Sequence, residues 1–202
     1  MEGAKIRLSQ EELELVSRTD WILTKNRILL KAKSLLEAIA AHQHSLLQSF
    51  QHVLPPEAFR PPAKISKGEN YRGLPYLVLD QPRSFHREDV LAIRTMFWWG
   101  NFFSVTLHLS GHWKEQYHHQ LQQSFKSLRG DFYIGCNDDP WEHHFDGDNY
   151  KKLAILDADE FGDHLRKRNF VKLSAKTAID NWETADKDLM EFFGRLLRVL
   201  AA

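Results

Sequence analysis

An α+β protein, with a small mixed or antiparallel β-sheet packed by amphipathic helices and a long N-terminal helix or helical hairpin, is the fold class this sequence predicts. Three observations carry that expectation. From Trp21 the apolar residues Ile28, Ala32, Leu35, Ile39, Leu46 and Phe50 recur at helical spacing with only Gln43 interrupting, and neither Gly nor Pro occurs before Pro55. Between Phe103 and Ser110 the chain alternates, with Phe103, Val105, Leu107 and Leu109 on one side and Ser104, Thr106, His108 and Ser110 on the other, as a strand requires. Two further amphipathic stretches follow: Trp113, Tyr117, Leu121, Phe125 and Leu128, and then Trp182, Ala185, Leu189, Phe193, Leu196 and Leu200.

The N-terminal elements carry their own start signals. Ser9 and Glu12 stand in capping-box spacing, and Leu8 and Leu13 occupy the positions of a hydrophobic staple, so a short helix begins there. The polar stretch Ser17 to Asp20 predicts a break before the long helix over 20–52. At a rise of about 1.5 Å per residue that helix reaches roughly 50 Å, longer than a body of this size is wide. Its apolar stripe is therefore expected to find a second partner, and a two-fold dimer is the commonest solution.

Residues 54–73 contain four prolines and two glycines, a density read as a connection without regular structure, so that one domain over 1–202 divides into a helical arm 1–53, the connection 54–73 and an α+β body 74–202. Within the body, Leu74 to Leu79 reads as a strand and 86–97 as a helix. The stretch 113–128 reads as one helix closed by Gly130 in a left-handed cap. Phe132 to Cys136, Leu153 to Leu156 and Phe170 to Leu173 read as short strands. Asp157 with Glu160 caps a helix to about Arg168, and a last helix spans 180–200.

Composition narrows the function classes. Lysine and arginine total 27, as do aspartate and glutamate, so no global field draws in nucleic acid, and no nucleic-acid partner is expected. The longest apolar runs, such as Met96 to Trp99, fall far short of the roughly 20 residues of a membrane span. Cys136, the single cysteine, has no internal partner, which together with the absence of an apolar leader fits the reducing cytoplasm. It reads as a small buried hydrophobe, not a nucleophile. The basic runs at Lys25, Arg27, Lys31 and Lys33 and at Arg166, Lys167, Arg168 and Lys172 read as solvated faces. There is no G-x-G-x-x-G after a strand, Walker loop, H-E-x-x-H, nucleophile elbow or paired C-x-x-C.

Histidine is the chemical anomaly. Six of the 11 histidines, His108, His112, His118, His119, His143 and His144, lie within 37 residues. Neutral imidazole is a common metal ligand, and His108, His112, His143, His144 and Asp146 are the candidate ligands for a divalent zinc, iron or manganese ion. Residues 131–160 hold nine acids against Lys151 and Lys152, a formal charge of minus seven, suited to a cation but lacking the alternation of an EF-hand. His143 and His144 are chain neighbours, so in an extended segment they face opposite ways. The aromatic concentration from Met96 to Phe103 predicts core, or the wall of a pocket to which Trp99 contributes, with Ser104, Thr106 and His108 as its polar groups and Trp141 and Tyr150 closing it.

The expected function is a non-catalytic ligand-binding or protein-interaction domain that binds a small molecule and forms a homodimer through the N-terminal helix. The alternative is a metal-dependent enzyme, a hydrolase or non-haem iron oxygenase, using the His/Asp cluster.

Overall fold

The computed structural model describes residues 6–202. Helix α1 (Gln10–Ser17) has the capping box: the Ser9 hydroxyl accepts from the Glu12 amide at 3.1 Å, and the Ser9 amide donates to the Glu12 carboxylate at 2.6 Å. The staple residues Leu8 and Leu13 are both exposed, and no residue of α1 is buried. Arg18 in an extended conformation ends α1, and α2 (Asp20–Gln48) starts two residues later, the break expected from the polar stretch. The Trp21 indole donates to the Leu15 carbonyl across the break at 3.2 Å. Helix α2 buries Leu29, Ala32, Leu36, Ile39, Gln43 and Leu47, one position offset from much of the predicted stripe. Ile39 and Ala32 are thus covered by their own chain.

Among the described residues, seven strands form one wholly antiparallel sheet: β1 (Lys64–Tyr71), β2 (Leu74–His86), β3 (Asp89–Trp98), β4 (Phe102–Ser110), β5 (Tyr133–Gly135), β6 (Tyr150–Lys152) and β7 (Phe170–Ala178). Their spatial order is β1-β2-β3-β4-β7-β5-β6. Two expectations are corrected here. Strand β1 lies inside the Pro/Gly-rich connection: the prolines all precede it, and Arg72 and Gly73, with φ of 51° and 80°, make the two-residue turn into β2. Residues 86–97 are not helical but contain β3. That strand is buried on both faces except at Asp89 and Arg94, so it shows no alternation and its Val90–Ile93 run mimics a helix.

The strand over 102–110 follows the predicted alternation. After it, Tyr117, Ser124 and their neighbours break the predicted single helix into α3 (Gly111–Gln116), α4 (His118–Gln123) and α5 (Phe125–Leu128). The left-handed glycine is Gly111 at the start of this run, with φ 54°, not Gly130 at its end. Leu153–Ile155 is a 3-10 turn; the strand there is β6, immediately before it. Helix α6 (Ala158–Lys167) has the predicted Asp157/Glu160 capping box, and α7 (Ala185–Ala201) follows a 3-10 turn at Ile179–Asn181.

The sheet has two unlike faces. Leu77, Leu79, Ile93, Phe97, Phe103, Val105, Leu107 and Leu173 point to one, where α2, α7 and α4 close a continuous core with Leu36, Leu121, Phe161 and Phe193. The opposite face carries a smaller apolar cluster of Val78, Met96, Trp98 and Phe102, covered by Phe145 and Tyr71. Much of the rest of that face is polar, with Val90 and Ala92 of β3 as apolar exceptions.

Candidate functional site

Antiparallel register builds two polar rows across the second face. In the first, Asp80 of β2 pairs with Arg94 of β3, Arg94 with Thr106 of β4, and Thr106 with Ser174 of β7. In the second, Arg83 lies opposite Ala92, Ala92 opposite His108, and His108 opposite Lys172. Within the rows, Arg94 donates to both Asp80 oxygens at 2.7 and 2.9 Å, a bidentate pair, and the Thr106 and Ser174 hydroxyls lie 2.7 Å apart.

The segment 136–149 folds over these rows. Tyr71, at the end of β1, anchors it: its hydroxyl accepts from the His143 and His144 amides at 2.7 and 3.0 Å and donates to the Glu142 carboxylate at 2.8 Å. Asn149 donates to the His144 carbonyl, and Lys172 to the Glu142 carbonyl. Trp141 lies over the rows, 5.5 Å from the His108 ring, 6.1 Å from Phe85 and 5.7 Å from the Arg94 guanidinium, yet 48% exposed.

Charge in this place is unusual. Lys172 is 2% exposed and has no carboxylate partner among the described residues; burial, followed by the Arg94 cation, brings its ammonium down to about 7. Burial first, then Lys172 and Arg94, hold the His108 imidazole down to about 3. The same causes hold His143 well below the ordinary histidine value. Arg94 can only donate, so the His143 Nε2 atom 3.3 Å from it accepts, which requires a neutral ring. Burial also pushes Tyr71 up to about 12 and keeps its phenol protonated.

Two cavities open onto this face, the second of them bordered by Trp141. One, of about 290 Å³, is lined by Lys64, Lys67, Arg83 and Arg94 against a single carboxylate, Asp80, with Ser66, Tyr76, Phe85 and His143 completing the wall. The other, of about 600 Å³, is bordered by Arg87, Lys114, Arg166 and Arg168 together with Glu88, Glu115, His108 and Phe170. Between them runs a throat of about 10 Å³, lined by Asp80, Phe85, Arg94, Thr106, His108, Trp141, His143 and Lys172. That is room for about one water-sized sphere.

The sequence-predicted residues separate. Thr106, His108 and Trp141 meet at the throat. Tyr150 is buried on the same face, stacked on Phe145 at 4.6 Å. Ser104 is buried one row further along, opposite Lys176. Trp99 is elsewhere, edge-on to Phe97 at 6.4 Å on the helix-covered side. The five candidate metal ligands fall into three places. His108 and His143 face the throat. His112 pairs with Asp89 at 3.1 Å at the far end of β4. His144 is buried, with Nε2 3.2 Å from Glu142 and Nδ1 3.1 Å from Asp146 and 3.9 Å from Asp148. His143 and His144 thus point to opposite sides, as chain neighbours in an extended segment must. His144, Asp146 and Asp148 offer donor atoms within 4.8 Å of one another, although Asp146 is also paired with Arg72 at 2.8 Å.

Sequence reasoning missed Asp80, Arg94 and Tyr71 altogether, counted Glu142 only among the acids of the loop over 131–160, and took Lys172 as a solvated cation. The only local signal was a charged residue in or beside an apolar run: Asp80 directly after the strand Leu74 to Leu79, Arg94 in the stretch 86–97 read as a helix, and Lys172 inside the strand Phe170 to Leu173.

An antiparallel α+β protein with a buried, cation-rich polar face is the class that this fold and site define. The chain matches no protein-family profile, no curated protein and no solved structure. No helix among the described residues is long and apolar enough to cross a membrane.

Proposed function

We propose that the protein binds a small anionic molecule, bearing a carboxylate or phosphate, in the cavity beside Arg83 and Arg94, without itself catalysing a reaction on it. The observation that supports this most is the charge of that cavity. Four cations line it against Asp80 alone; Asp80 is consumed by Arg94, and Lys67 is paired with Glu69 at 2.5 Å. Lys64 and Arg83 have no carboxylate partner among the described residues, and Arg83 is held by its Nε donating to the Pro62 carbonyl at 2.7 Å, which leaves its terminal nitrogens for a ligand. Arg94 and Asp80 neutralise each other and act as the rigid floor. An anion spanning Lys64 and Arg83 would form charge-assisted hydrogen bonds, stronger than neutral ones. Titration calorimetry at low salt with inorganic phosphate and with citrate tests the reading. Saturable binding is expected for at least one, weakened by added sodium chloride and lost in Lys64→Gln/Arg83→Gln. No heat from either anion at millimolar concentration, or equal binding by the double variant, would reject it.

A second reading is favoured by one observation, the convergence of His144, Asp146 and Asp148. Those three side chains would hold a zinc, iron or manganese ion with positions left for water, as a metal-dependent hydrolase needs. A non-haem iron oxygenase fits less well, because its two-imidazole, one-carboxylate set would need His143 on the side it faces away from. Equilibrium dialysis against zinc after chelator treatment should show one ion per chain, lost in His144→Ala; absence of stoichiometric zinc would dismiss this reading.

A further inference from the structure

Of the 12 large apolar side chains that are exposed among the described residues, eight fall within residues 6–30. On α2, Leu23 and Leu30 are 52% and 65% exposed and stand seven residues apart with Arg27 between them. Spacings of four and seven residues place these three on one ridge. Leu29, Ala32, Leu36 and Ile39, packed into the core, lie on the other side of the same helix. Helix α1 adds Leu13 and Val16, also exposed and three residues apart. An isolated helix of eight residues is marginal in water, below the roughly 12 to 15 residues at which even good sequences hold. The capping box and the Trp21 indole tether α1 at its two ends, but none of its side chains is buried by the chain.

Charge indicates what covers it. Helix α1 is acidic, with Glu11, Glu12 and Glu14 and no basic residue, whereas the first turns of α2 carry Lys25, Arg27, Lys31 and Lys33. Lys25 and Lys33 are paired within the chain, to Glu69 and Glu37. Glu11, Glu14, Arg27 and Lys31 form no ion pair among the described residues; Glu14 accepts only from Gln10, and Arg27 donates only to Thr24. The chain therefore displays an acidic, apolar helix and a basic, apolar ridge, unmatched within one copy and complementary between two.

We infer that residues 6–30 are the contact between two copies of this chain, with α1 of each copy seated on the Leu23–Arg27–Leu30 ridge of the other. Such an exchange is isologous and closes at two copies. Of these 25 residues 21 are exposed, at the lower end of the roughly 20 to 30 residues per side of a standard interface. Leucine burial supplies the affinity, and the exposed ion pairs set the pairing, since such pairs contribute little energy by themselves. This contact is independent of the anion cavity and moves the dimer surface expected from sequence away from Leu35 and Ile39 to the first turns of α2.

The test is sedimentation equilibrium on the full chain at micromolar concentration. Wild type should sediment at twice 23.7 kDa, and Leu23→Glu/Leu30→Glu at 23.7 kDa with an unchanged circular dichroism spectrum. Two charge reversals, Glu11→Lys/Glu14→Lys and Arg27→Glu/Lys31→Glu, should each be monomeric alone and should form a mixed dimer when combined, because both reciprocal contacts then join opposite charges. A monomeric wild type up to 100 micromolar overturns the inference, even if the surface captures some other protein. So does a dimer that both reversals leave intact, or two monomeric reversals that fail to combine.

Discussion

Lys172, His108 and His143 are ionisable groups placed where charge is costly, and the consequence is a particular pH dependence. The His108 ring is held down to about 3, against 6.5 in the unfolded chain, so between those values the unfolded state binds a proton that the native state refuses. Stability contributed by this ring is therefore complete above 6.5 and is lost as the pH falls towards 3. His143 shifts the same way. Lys172 works in a higher window: the folded ammonium loses its proton near about 7, the unfolded one near 10.5, so stability rises as the pH increases between them. Melting temperatures of His108→Asn should fall less steeply than wild type from about pH 6.5 to pH 4. Lys172→Met should melt higher than wild type at about pH 6, and the advantage should shrink towards pH 10. Parallel curves for variant and wild type would show that these groups are not titrating as their burial requires. None of this was visible in the sequence, where Lys172 stood in a basic run and His108 on the polar side of a strand. Their burial depends on the segment 136–149, which no local pattern assigns to that face.

At the scale of the element, the turn from β4 into α3 shows how one glycine carries a junction. Gly111 has φ 54°, and a Cβ there would lie 2.0 Å from the Asp89 Oδ1 atom and 2.9 Å from the Glu88 carbonyl oxygen. That Asp89 carboxylate accepts from the His112 amide at 2.8 Å and so holds the start of α3 against the β2–β3 hairpin. Gly111→Ala combines a strained backbone with a displaced carboxylate and should cost about 2 to 4 kcal/mol in urea unfolding. Gly130 is the natural control. Nothing lies within 4 Å of its added Cβ and its φ is not positive, so Gly130→Ala should be neutral or stabilise by up to about 1 kcal/mol. A larger loss at Gly130 than at Gly111 would contradict both assignments. Sequence periodicity placed α3–α5 within the right stretch but chose the wrong glycine, because a cap is recognised by φ and neighbours that spacing alone does not contain.

For the molecule as a whole, α2 belongs to the core while α1 does not. Leu36 is fully buried among α2, α7 and the sheet, so Leu36→Ala should destabilise by about 2 to 5 kcal/mol. Deleting residues 1–18 removes no buried side chain among those described, so in the monomeric Leu23→Glu/Leu30→Glu background the melting temperature should stay the same. A deletion that lowers it by several degrees would mean that α1 is packed on its own chain. The helical arm expected over 1–53 contributes α2 from Leu29 onward to the core. The boundary between core and projecting structure falls within α2, near Leu29, the first of its buried residues.

The sequence by itself determined the elements whose causes are local. The capping boxes at Ser9 and Asp157, the helical spacing of α2, the alternation of β4 and the amphipathic stripe of α7 all arise between residues one to four positions apart; the caps and the strand occur where they were expected, while α2 turns its buried face by about one position and α7 begins at Ala185. Only the tertiary structure decided that β3 is a strand, that β1 forms within the Pro/Gly-rich connection, and that Asp80, Arg94, His108 and Lys172 stand together. A strand buried on both faces loses the alternation that would identify it, and an edge strand takes its conformation from the neighbour it pairs with. The polar rows exist because register aligns residues separated by up to 94 positions, Asp80 with Ser174 in one row and Arg83 with Lys172 in the other. Side chains that look solvated in the sequence become a buried, charge-rich site once a loop covers that face, because burial is a property of the assembled layers and not of any single segment.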